Sequence, residues 1–134
     1  MDAALNLATG WFLIAGGFVS GMVLGLFFGR DDWLGGYNSW PRRLLRLGHI
    51  AMVALGMLNI LFALSVVHLT LRPWEVALSS WGFVVGGVSM PVVCGLSAWR
   101  KPLKALFPVP VASLLTAVIT VCGAIVKDVV RTAG

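Results

Sequence analysis

The chain is predicted to be an all-α polytopic membrane protein, a four-transmembrane-helix antiparallel bundle. Three observations predict it. Four stretches, about 5–29, 47–71, 76–99 and 105–126, contain no charged side chain. Each is long enough to cross a hydrocarbon core, which takes about 20 apolar residues at 1.5 Å rise per residue. The ten basic and five acidic residues all fall at the chain ends or in the gaps between stretches. Charged residues are 11% of the 134 positions, less than half the roughly 25% usual in soluble domains. Only the gap 30–46 exceeds a handful of residues. No separate soluble domain fits, so residues 1–134 read as one transmembrane domain.

The net charge of +5 does not point to nucleic acid, because the basic residues flank apolar spans and form no continuous soluble surface. They read as topology. Arg30, Arg42, Arg43 and Arg46 lie in the first gap, and Arg100, Lys101 and Lys104 in the third. The other side carries only Arg72, Lys127 and Arg131. Both chain ends are therefore expected outside, with the first and third gaps cytoplasmic. The first stretch lacks a basic leader and exceeds the roughly 7–15-residue apolar core of a signal peptide, so it reads as a retained span. A multi-pass location in a bacterial inner membrane follows as the expectation.

Span one carries Gly17, Gly21, Gly25 and Gly29 at strict four-residue spacing. In water such glycines cost a helix about 1 kcal/mol each relative to alanine. In lipid the flat stripe lets another backbone approach closely. It predicts packing on another span of this chain, a second copy, or another integral membrane subunit. In the gap that follows, Gly35-Gly36 signals a turn, and Ser39 just ahead of Pro41 suits a helix start. Trp33, Tyr37 and Trp40 fit an aromatic belt at headgroup depth. Asp31 and Asp32 are candidate partners for the arginines, and Arg42, Arg43 and Arg46 for anionic membrane lipids.

On span two, Met52, Gly56, Asn59 and Ala63 fall on one face with His49, the one deeply placed ionisable group. That stripe should face protein. His68 lies off it, near the outer interface. Arg72-Pro73-Trp74-Glu75 is a tight connection with Pro73 in the first turn of span three. Span three has Gly82, Gly86, Ser89 and Val93 on one face and Gly87, Met90, Pro91 and Cys94 on another, with Pro91 expected to kink it. Pro108 and Pro110 are expected to delay or bend the start of span four. Beyond them Ser113, Thr116, Thr120 and Gly123 form a further small polar seam. Four seams on four spans imply a tightly packed bundle. Cys94 and Cys122 are expected roughly 15–20 Å apart in depth, too far for a disulfide.

One cluster carries candidate chemistry. Counted from the basic end, His49, Met52, Met90 and Cys94 share one depth, with Met22 near the same level. Imidazole, thioether and thiolate suit a haem iron or, as the lesser option, copper(I). For haem b, His49 would be the axial ligand and Met90 a second ligand. Arg43 or Arg46 would hold the propionates, and Gly25 would let the macrocycle lie on span one. The competing structural reading is a neutral His49 hydrogen-bonded to Ser89, Asn59 or a carbonyl across the bundle. A quinone bonded to His49 is a further option. No Ser/His/Asp set, zinc spacing, phosphate loop or paired carboxylates are present, which argues against a hydrolase or phosphoryl-transfer enzyme.

The expectation is a small integral subunit or assembly factor of a larger membrane complex, respiratory or redox in character, without catalytic activity of its own. The alternative is a self-assembling channel or carrier for a small solute.

Overall fold

The structure, a computed structural model, describes residues 3–134. Its helices are α1 (Ala4–Leu26), α2 (Trp40–Ser65), α3 (Pro73–Trp99) and α4 (Pro108–Ala133). All four are long and apolar enough to cross a membrane. The chain is an all-α, multi-pass membrane protein.

Local chemistry sets the boundaries. α2 begins at Trp40, well ahead of its apolar stretch, because Ser39 Oγ accepts the Arg42 N–H as an N-cap and Pro41 occupies the first turn. At the start of α3 the Glu75 carboxylate accepts the Arg72 N–H at 2.8 Å, beside Pro73. α1 stops at Leu26, short of Gly29, and the chain turns through Leu34, Gly35 and Gly36, all at positive φ (52°, 84° and 95°). Two of those three positions are glycine, the residue that adopts such φ values at no steric cost. A 3₁₀ turn, Lys101–Leu106, joins α3 to α4. α4 starts at Pro108 and runs to Ala133, past the expected end of span four. α3 continues unbroken through Pro91.

The helices pack antiparallel in chain order, α1 on α2, α2 on α3 and α3 on α4, with α1 also touching α3. Glycines let the backbones approach. A Cβ at Gly10 would lie 2.7 Å from the Gly56 carbonyl oxygen, and one at Gly82 2.7 Å from the Ser113 carbonyl oxygen. Phe62, Phe83 and Ala117 join α2, α3 and α4 in an apolar core, with the two rings 5.1 Å apart.

Nearby lies a polar core that joins α1, α2 and α3. Asn6 Nδ2 donates to Asn59 Oδ1 at 2.9 Å and to the Ser80 carbonyl at 3.2 Å, while the Ser80 hydroxyl donates to Asn6 Oδ1. Asn59 Nδ2 donates to the Leu55 and Phe83 carbonyls. Every amide hydrogen of the pair is therefore used. Gly87 leaves the room: a Cβ there would meet Asn59 Nδ2 at 3.0 Å. At the same end Lys127 pairs with Glu75 at 3.1 Å, and Asp128 accepts the Thr70 N–H, tying α4 to the α2–α3 connection.

Three expectations change. The hydroxyls of the α4 seam make no bond across the bundle: Ser113, Thr116 and Thr120 bond their own preceding turns, and a Cβ at Gly123 would meet nothing within 4 Å. α4 instead packs through Pro110, Leu114, Ala117, Val121 and Ala124, a three- and four-residue repeat. Asp31 and Asp32 form no ion pair with the arginines. Among the described residues the one salt bridge is Lys127–Glu75. The glycine stripe is divided, since Gly17 and Gly21 pack on α2 while Gly25 and Gly29 meet nothing within 4 Å.

Candidate functional site

The basic end of the bundle gathers the end of α1, the first turns of α2 and the connection between them. Trp33 stacks on Phe27 with centroids 4.7 Å apart, which folds the connection back onto α1. The Trp40 indole N–H donates to the Ser97 carbonyl at 2.9 Å and ties α2 to the last turn of α3. These two indoles thus hold the connection in place.

His49 lies across α1. Its Nδ1 is 2.9 Å from the Gly17 carbonyl oxygen and 3.2 Å from Ser20 Oγ, and Ser20 itself donates to the same carbonyl at 2.8 Å. A carbonyl can only accept, so Nδ1 carries the hydrogen. In the neutral ring the lone pair then sits on Nε2. Nε2 makes no hydrogen bond among the described residues. The ring fits because residue 21 is glycine: a Cβ there would lie 2.6 Å from His49 Cε1.

Two cavities meet at His49, and Leu24 and Trp33 also line both. The first, about 330 Å³, is apolar and is lined further by Ser20, Gly48, Met52, Pro91, Cys94 and Gly95. The second, about 290 Å³, is bounded by Gly21, Gly25, Phe28, Tyr37, Arg42 and Arg46. Arg42 is only 5% exposed. Its guanidinium sits 5.4 Å from the Trp33 ring and 5.7 Å from the Tyr37 ring, and Nη1 donates to the Arg30 carbonyl. Arg46 lies 4.1 Å over the Tyr37 ring and donates to the Tyr37 carbonyl. Aromatic faces partly offset the charge of a guanidinium removed from water. A guanidinium has five N–H donors, and Arg42 uses one of them on protein.

Of the residues expected to hold a cofactor, His49, Arg46 and Gly25 come together. Met90 lines neither cavity, and Arg43 is exposed and lines neither. Of the metal set, His49, Met52 and Cys94 share the apolar cavity, with Cys94 fully buried against Gly48. No three of His, Cys, Asp and Glu form a group able to hold a metal ion among the described residues. Met22 is exposed on α1, and His68 is exposed in the 3₁₀ turn that follows α2.

Sequence reasoning missed Asn6, and it gave Arg42 only as a contact for anionic lipids. The Arg42 signal was its place three residues after a Ser cap, one turn before Arg46, which puts both on one side of α2. Asn6 gave a plainer signal as a lone amide in a charge-free stretch. Comparison with known family models, curated proteins and solved structures finds no match. The functional reading therefore stands on this geometry.

Proposed function

We propose that the protein is a small integral subunit or assembly factor of a membrane redox complex, and that it holds haem b through His49 at the basic, cytoplasmic end of the bundle. One observation carries this reading: His49, which lines both cavities, has its Nδ1–H committed to the Gly17 carbonyl and its Nε2 without a hydrogen-bond partner among the described residues. A histidine that ligates a metal usually donates its other ring N–H to a carbonyl or carboxylate in this way, which fixes the tautomer and raises the basicity of the ligating nitrogen. The flanking residues suit the same ligand. Gly25 opens the wall of α1, Met52 and Cys94 offer sulfur, and Arg42 and Arg46 offer charge to acidic side chains. Haem would supply one-electron chemistry there. The chain's part is to bind it, fix its orientation and hold it in an apolar wall.

The setting in a bacterial inner-membrane complex draws support from what the bundle leaves open. Its four helices take up nearly all of the 134 residues. A Cβ at Gly123 on α4 would meet nothing within 4 Å, which leaves a flat place for a neighbouring helix. The channel alternative draws less support, since Gly17 and Gly21 are already used against α2.

The test is spectroscopic. The protein is purified in mild detergent from cells with ample haem, beside His49→Ala. The proposal expects a Soret band in the first and none in the second, with equal helicity by circular dichroism. A colourless wild-type protein, or an unchanged band in His49→Ala, overturns it.

A further inference from the structure

We infer that the 290 Å³ cavity beside His49 is an acidic-group site, with Arg42 as the residue that selects a ligand bearing a carboxylate. The inference rests on the haem reading above, which makes the occupant a propionate. Arg42 is 5% exposed and lines the cavity, yet no carboxylate approaches it among the described residues. Burying a guanidinium is costly unless it is paired and hydrogen-bonded. Here the pairing is partial, one backbone carbonyl and the faces of Trp33 and Tyr37. The Arg30 bond and the two rings hold the guanidinium in place before any ligand arrives. A fork fixed in this way matches the two oxygens of a carboxylate.

Arg46 lines the same cavity, but it is only half-buried and is engaged with Tyr37. Arg43, the neighbour in sequence, is exposed and lines neither cavity. The site thus distinguishes three arginines that sequence alone leaves equivalent: one anchor, one auxiliary and one outside.

The test compares haem with its dimethyl ester, in which both carboxylates are blocked, titrated into the full chain produced haem-free. The wild-type protein is expected to bind the free acid at least roughly tenfold tighter, the worth of one charge-assisted hydrogen bond. Arg42→Gln is expected to lose that preference while the Soret band from His49 remains, and Arg43→Gln to keep it. Arg42→Lys, which keeps the charge and loses the fork, is expected to retain a smaller preference, and it replaces Arg42→Gln if that variant does not fold. Equal binding of acid and ester by the wild type overturns the Arg42 assignment and leaves His49 ligation standing. So does a preference that survives Arg42→Gln or disappears in Arg43→Gln. Failure of both porphyrins to bind overturns both.

Discussion

The side-chain amide of Asn6, near the start of α1, donates to the amide oxygen of Asn59, late in α2, across 2.9 Å. Both residues are fully buried, and the Ser80 hydroxyl of α3 closes the network onto Asn6. Removing one partner leaves a donor or an acceptor of the others unpaired in the buried core. Asn6→Ala and Asn59→Ala are each expected to lower unfolding stability by about 1–2 kcal/mol. The double variant should fall short of the sum, because the pair shares bonds. Denaturation in mixed micelles, followed by circular dichroism, measures all three.

Glycine use separates the two faces of the bundle. Gly56→Ala would place a methyl 2.7 Å from the Gly10 carbonyl oxygen, a backbone atom that cannot move alone. A loss of about 1–3 kcal/mol is expected, as for other overpacked positions. Gly123→Ala meets nothing within 4 Å and should change stability by less than about 0.5 kcal/mol. The same unfolding assay applies. A large loss in Gly123→Ala would show that the hydroxyl seam of α4 packs inward after all.

The two cysteines should report burial directly. Cys94 is fully buried against α2, whereas Cys122 is exposed on α4. A membrane-permeant maleimide is expected to modify Cys122 readily in the folded protein in detergent, and Cys94 only after denaturation. Peptide mass spectrometry gives the site. Prompt modification of Cys94 in the native state would mean that the α2–α3 contact opens.

Gly21 is a positioning residue for His49. A Cβ at position 21 would lie 2.6 Å from His49 Cε1, so Gly21→Ala must turn the ring away from the Gly17 carbonyl. Because the clash is with a side chain, the helices need not separate. The expected outcome is near-normal stability with haem affinity reduced about 10–100-fold, the usual effect of disturbing a ligand's supporting hydrogen bond. Titration of haem into the variant and its unfolding curve together check this.

Much of the fold was legible because charge marks the limits of a span: a carboxylate or ammonium rarely sits in hydrocarbon. The same physics hid the rest. Pro110, Ala117 and Ala124 face the bundle, and Ile119 and Val126 face outward, yet all are apolar, so hydropathy does not separate the faces of α4. Hydroxyls were a poor guide as well. Thr116 and Ser113 satisfy themselves on the preceding turn and need no partner helix. On α2 the stripe through Gly56, Asn59 and Ala63 was readable, because a mid-membrane amide must find a partner inside the protein. For His49, the carbonyl named as one competing partner proved to be that of Gly17, and that bond leaves Nε2 free. Depth counting placed Met90 level with His49, and helical spacing put it on a face with Pro91 and Cys94, but of those three only Pro91 and Cys94 line the cavity. Arg42, Arg43 and Arg46 look alike in sequence. Only the fold of the Trp33–Tyr37 connection buries the first.

The central claim is that the imidazole of residue 49 is itself the iron ligand, and chemical rescue tests it most directly. In His49→Gly the ring is deleted and its space left open. The account predicts a colourless protein that regains its Soret band, with one haem per chain, when free imidazole is added. A His49→Gly variant that keeps the band without imidazole, or fails to recover it with imidazole while remaining folded, would contradict the account.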